Sequence, residues 1–168
     1  MTMAPTIRVL IVDDEPIVRL TLSRAIARQA DMAVVGEAAD GAAAVTIVER
    51  LRPDVVVMDV TMPGPSGIET AIELRSRGIG TPILFFTGDP GAIDRAKAIE
   101  ASRVLIKAGG GAAEALDAIR QLARAAATAS STTRAPTGLR STASATAAAS
   151  SGNGSPDMRT IRSATHAG

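Results

Sequence analysis

Residues 55–59 read Val55-Val56-Val57-Met58-Asp59, and the chain continues Val60-Thr61-Met62-Pro63-Gly64. Four apolar residues in a row show no alternation. That pattern suits a short strand covered on both faces, as in a parallel sheet flanked by helices. The run stops at a carboxylate, and a turn signal at Met62-Pro63-Gly64 follows. A carboxylate in that position lies where open α/β sheets bind ligands, beyond the carboxyl ends of the strands.

Working outward, the same kind of run recurs at Ile7–Val12, Met32–Gly36, Ile83–Phe86 and Val104–Ile106. Helical spacing fills the gaps. After Pro16, which suits a first helical turn, Val18, Leu22, Ala25 and Ile26 share a face. Ala44, Val48 and Leu51 repeat the stripe, as do Ile68, Ala71 and Ile72. Ile93, Ala96 and Ile99, then Leu116, Ile119 and Leu122, complete the set. Each stripe can cover a sheet. Five β–α units with short, right-handed connections give an α/β fold, a doubly wound five-stranded parallel sheet with five helices. The strand order 2-1-3-4-5 is that of flavodoxin-like sheets.

The residues that end the strands carry the chemistry. The first strand runs into Asp13-Asp14-Glu15, the third into Asp59, the fourth into Thr87 and the fifth into Lys107. With strands one and three adjacent, Asp13, Asp14 and Asp59 converge. Clustered carboxylates repel one another, and a hard divalent cation compensates them. Mg²⁺ suits such a site because it takes one or two carboxylates, keeps several waters and accepts a phosphate oxygen. Lys107 adds a compact positive charge, and Thr87 adds a hydroxyl donor. Together they form a cradle for a phosphoryl group. Asp59 sits centrally and can be the nucleophile.

From about Thr6 to Ala127 the chain resembles the response-regulator receiver family of two-component signalling. The resemblance rests on Ile11-Val12-Asp13-Asp14-Glu15-Pro16, on Val57-Met58-Asp59-Val60-Thr61-Met62-Pro63 with Gly67, on Phe86-Thr87-Gly88 and on Leu105-Ile106-Lys107. It implies that Asp59 accepts a phosphoryl group from a histidine kinase or phosphotransfer protein. Asp14 would ligate Mg²⁺ directly, Asp13 mostly through water, and Thr61 through its backbone carbonyl. Thr87 and Lys107 would bind the phosphoryl oxygens. Thr61 and Asp89 match variable positions that tune dephosphorylation. Two positions depart from the family pattern. Val104 stands where many receivers carry Tyr or Phe, and Ala108 stands where many carry proline after the lysine.

Composition bounds the alternatives. There is no cysteine, which excludes disulfides, thiolate catalysis and zinc–thiolate sites. There is no Trp or Tyr and there are two Phe, so the core is aliphatic. Net charge is +1, without the dense basic patch of a nucleic-acid binder. No apolar stretch is long enough for a membrane span, and Ile7–Val12 is too short for a signal-peptide core. A cytoplasmic location is expected.

After Ala127 the composition turns to Ala, Ser, Thr and Gly. In residues 129–168 only Leu139 and Ile161 represent Leu, Ile, Val and Phe. Residues 6–127 are therefore read as the receiver and 128–168 as a disordered tail. His166 and the dispersed Arg134, Arg140, Arg159 and Arg162 read as solvated side chains. Gly109-Gly110-Gly111 lacks the lysine and hydroxyl of a phosphate loop and reads as a flexible approach to a helix.

The expected function is a single-domain response regulator that signals by phosphorylation-dependent binding of an unknown downstream protein. No direct DNA binding is expected, because the tail lacks amphipathic helices; a homodimer is compatible with this reading. Its chemistry is directed at itself, so it is not an enzyme acting on an external substrate. Two other readings stand beside it. The fold can serve as an interaction scaffold that phosphorylation does not control. An aspartate-based phosphatase of the haloacid dehalogenase type would place Asp-x-Asp after the first strand, whereas here the nucleophile candidate follows the third. Individually, Asp13 and Asp14 could cap a helix, Asp59 could start a loop, Thr87 could cap helix four and Lys107 could be solvated.

Overall fold

Val9 to Val12 pair in parallel with Val55 to Met58, and this alignment organises the molecule. The structure, a computed structural model, describes residues 5–100, 102–107 and 111–132. Its strands are β1 (Ile7–Val12), β2 (Met32–Ala38), β3 (Val55–Met58), β4 (Ile83–Thr87) and β5 (Ser102–Ile106). They form one sheet in the order β2-β1-β3-β4-β5, and every pairing is parallel. The helices are α1 (Pro16–Ala27), α2 (Gly41–Leu51), α3 (Gly67–Ser76), α4 (Ile93–Lys97) and α5 (Gly111–Thr132). The alternating pattern predicts the parallel α/β sheet, and the strand order is the flavodoxin-like one taken over by analogy.

Strand alternation sorts the aliphatic side chains onto two sides. Leu10, Val12, Val56, Met58, Ile83 and Phe85 face the cluster that α2, α3 and α4 cover. Val9, Ile11, Val55, Val57, Leu84 and Phe86 face the cluster that α1 and α5 cover. Because both faces are buried, the central strands are apolar over residues 9–12, 55–58 and 83–86. That removes the period-two signal but makes each run conspicuous.

Several local details differ from the stripes in the sequence. β2 extends to Ala38, because its pairing with β1 continues through Val12. Ile72 is 54% exposed; α3 is turned so that Ile68, Thr70, Ala71 and Leu74 are buried instead. Ile99 lies beyond α4. The Ser102 hydroxyl lies within hydrogen-bond distance of the carbonyls of Ala96 (2.9 Å) and Ile99 (2.6 Å) and can donate its one proton to either where the helix stops. α5 continues past Ala127 to Thr132, as its alanines permit even without a core to cover. Ala108, Gly109, Gly110 and the tail readings for 133–168 lie outside the described residues.

Arg120 ties α5 to the turn before β2. Its guanidinium donates from Nε to Asp31 Oδ2 at 2.7 Å and from Nη2 to Asp31 Oδ1 at 3.0 Å. The Arg120 hydrogen bond holds the Asp31 carboxyl below its ordinary value of 3.8, against a smaller opposing effect of burial. A depressed carboxylate stabilises the fold above its unfolded-state value and loses that contribution as pH falls through the folded one. The melting temperature of Asp31→Asn should therefore lie below wild type at neutral pH. The gap should close in acid, below the ordinary aspartate range, in a melting series over pH.

Candidate functional site

Register brings the candidate residues together. Val12 is the partner of Met58, so the next residues along, Asp13 and Asp59, leave the sheet side by side. The Asp59 amide donates to Val12 O at 2.8 Å, and the Asp13 amide donates to Ala38 O at 3.1 Å. On the other side Thr87 pairs with Ile106, and the Lys107 amide donates to Thr87 O at 2.9 Å. Four strand ends thus deliver Asp13, Asp59, Thr87 and Lys107 to one edge.

Lys107 is the hub. Its Nζ donates to Asp13 Oδ2 at 2.8 Å and to Asp59 Oδ2 at 3.1 Å, with Glu15 Oε1 at 3.7 Å. Asp59 Oδ1 accepts from the Val60 amide at 2.7 Å, which leaves Oδ2 turned toward the ammonium. Asp13 Oδ1 accepts from the Glu15 amide at 2.9 Å. Burial pushes the Asp13 carboxyl above the ordinary carboxylate range, and the bonds from Lys107 and the Glu15 amide oppose this without cancelling it. Burial alone would lower Lys107. The hydrogen bond to Asp13 and the charges of Asp59 and Asp13 outweigh it, and the ammonium is held above its ordinary value.

Asp13, Asp14 and Asp59 each offer a carboxylate oxygen within 4.8 Å of the others. Three hard oxygen donors at that spacing can share one divalent cation. One ammonium does not neutralise three carboxylates, which gives a cation an electrostatic reason to bind. Asp13 and Asp59 are buried, whereas Asp14 is partly open. A cleft of about 370 Å³ opens over Asp14 and Asp59, lined also by Glu15, Thr61, Gly88, Asp89 and Lys107. Thr87 is fully buried, and its hydroxyl oxygen accepts from the Asp89 amide at 3.1 Å.

Three residues contribute beyond the roles that the sequence assigns. Glu15 adds a further carboxylate beside Lys107. Arg19 donates to the Asp13 carbonyl at 2.6 Å and pairs with Glu37 at 3.5 Å, bracing the first strand end. Gly67 seats the third. A Cβ there would stand 2.0 Å from the Asp59 carbonyl oxygen, so the start of α3 approaches β3 as only glycine allows. Glu15 and Gly67 stand inside the quoted motifs without a stated contact, and Arg19 is one of several arginines on a polar helix face.

The residues match known proteins as follows. The model of the response regulator receiver domain family matches residues 9–123. A protein-glutamate methylesterase/protein-glutamine glutaminase of Nocardioides sp. is 43% identical over 83 residues, which is 49% of this chain and 23% of that protein. The transcriptional regulatory protein PdtaR of Mycobacterium tuberculosis is 39% identical over 102 residues, covering 60% of this chain and 49% of that protein. The chain thus spans less than half the length of these relatives. Among solved structures, the response regulator domain of Thermotoga maritima CheB superposes with a TM-score of 0.64 at 32% identity, covering 71% of this chain and 97% of that one. A LuxR-family response regulator from Aurantimonas sp. superposes with a TM-score of 0.67 at 38% identity, covering 71% and 86%.

Gly67→Ala should test how tightly the site is seated. Overpacking of this kind typically costs about 1–3 kcal/mol. Urea denaturation should show a loss in that range, whereas Gly80→Ala, where a Cβ meets nothing within 4 Å, should cost far less.

Proposed function

Because the chain belongs to the response regulator receiver domain family, we propose that Asp59 is its phosphoacceptor and that the state of Asp59 governs binding of a partner protein. The observation that supports this most is the position of the Asp59 carboxylate. Oδ1 is bound to the Val60 amide and Oδ2 to Lys107, beside two further aspartates and beneath an open cleft.

In this reading a carboxylate oxygen of Asp59 attacks the phosphorus of a phosphohistidine in a histidine kinase or phosphotransfer protein. The phosphorus–nitrogen bond breaks, its electron pair stays with the imidazole, and an acyl phosphate remains on Asp59. Lys107 stabilises charge on the phosphoryl oxygens, and the Thr87 hydroxyl donates to one of them. Asp13 and Asp14, with Asp59 and the Thr61 carbonyl, would hold Mg²⁺, which supplies charge neutralisation to the transferring group. Asp89 lines the cleft, and in this reading it would influence the water that later hydrolyses the acyl phosphate. The chemistry is self-directed, with no external substrate turned over and no direct contact with DNA.

Among the described residues no helix is long and apolar enough to cross a membrane. A cytoplasmic place follows from the family reading. The scaffold reading differs in one respect, since partner binding would then be indifferent to Asp59.

Incubation with acetyl phosphate and Mg²⁺ followed by intact-mass measurement tests the proposal. The wild type should gain one phosphoryl group, and Asp59→Asn or excess chelator should abolish the gain. An equal adduct on Asp59→Asn would place the chemistry elsewhere. Partner binding unchanged by Asp59→Asn would favour the scaffold.

A further inference from the structure

The chain has two phenylalanines, adjacent on β4. Strand alternation sends their rings to opposite sides of the sheet. Phe85 is fully buried in the cluster under α2, α3 and α4, and the partly buried Val104 packs against that same cluster. Phe86 belongs to the cluster under α1 and α5.

The surroundings of Phe86 are unlike those of a closed core. Its ring lines a cleft of about 380 Å³ together with Ile17, Thr21, Lys107, Gly111 and Ala112. Gly111, the first residue of α5, makes the ring's position tenable. A Cβ there would stand 2.5 Å from Phe86 Cζ and 2.7 Å from Cε2, far inside van der Waals contact. Lys107 lines this cleft and also reaches Asp13 and Asp59 with its ammonium. A single side chain therefore joins the acidic site to the space beside the ring. Phe86 is also bonded in sequence to Thr87, whose hydroxyl oxygen accepts from the amide of Asp89 on the wall of the acidic cleft.

We propose that Phe86 transmits the phosphorylation state of Asp59 to the face formed by α1 and the start of α5, with Lys107 as the lever and Gly111 as the seat of the ring. The proposal rests on the reading of Asp59 as phosphoacceptor. In the unmodified protein Lys107 divides its ammonium between Asp13 and Asp59. A phosphoryl group on Asp59 presents more negative oxygens, and the ammonium transfers its hydrogen bonds to them. The aliphatic stem moves with it along the wall of the cleft. The ring has open space beside it and discrete rotamers to move between. On the opposite side the Phe85 ring is fully buried in its cluster and Val104 carries no ring. The surface change therefore falls on Ile17, Thr21 and Ala112.

Amide NMR on the full ¹⁵N-labelled chain tests this, with the protein held under excess acetyl phosphate and Mg²⁺ and its modification checked by mass. In the wild type the Ile17, Thr21 and Ala112 signals should shift on phosphorylation. Phe86→Leu keeps an apolar side chain; it should still form the adduct and shift Asp14 and Gly88, but lose the shifts at Ile17, Thr21 and Ala112. Gly111→Ala, which crowds the ring, should displace those three signals before any phosphorylation. The relay is overturned if Phe86→Leu shows the wild-type shifts, or if an adduct forms on the wild type and the three signals stay in place. Absence of any adduct on the wild type rejects the phosphoacceptor reading and the relay with it, and the mass alone tells that case apart.

Discussion

The ammonium of Lys107, held between Asp13 and Asp59, is the interaction on which the site depends. It joins the end of the last strand to the ends of the first and third. Those strands come within reach only because the sheet runs in the order β2-β1-β3-β4-β5 with all strands parallel. A shift of one residue in the β1–β3 register would send Asp13 or Asp59 to the other side and separate the carboxylates. The aliphatic core under both faces fixes that register, so the core acts on function through alignment.

The site carries more negative than positive charge, and the fold tolerates the imbalance. Burial raises Asp13 while Lys107 pulls it back, and a neighbouring Asp14 and Glu15 add more negative charge. Such a cluster costs stability, and in the proposed reading a divalent cation and phosphoryl oxygens relieve it. Gly67 lets α3 start against the Asp59 carbonyl, and Arg19 donates to the Asp13 carbonyl.

Much of this was legible in the sequence for a physical reason. Strands buried on both faces must be apolar throughout, and a polar residue that ends such a run announces the sheet edge; Asp13, Asp59, Thr87 and Lys107 all stand out in this way. What was hidden depends on tertiary placement. Ile72 and Leu74 are both apolar on α3, and only packing against the sheet decides which is buried. Ser66 and Glu69 form a capping box that the spacing Ser-x-x-Glu could have revealed. Gly111 read as a flexible residue, because the ring of Phe86 that requires it lies far away in sequence.

The claim at the centre of this account is that strand register assembles a carboxylate cluster that a divalent cation relieves. The most direct measurement is the melting temperature as a function of Mg²⁺ concentration, compared between wild type and Asp13→Asn. A ligand that binds only the folded state stabilises it by about 2.7 kcal/mol at a hundredfold excess over its dissociation constant. The wild type should rise and level off as the site fills, and Asp13→Asn should respond far less. A wild-type melting temperature indifferent to Mg²⁺, or an equal rise in the variant, would contradict the account.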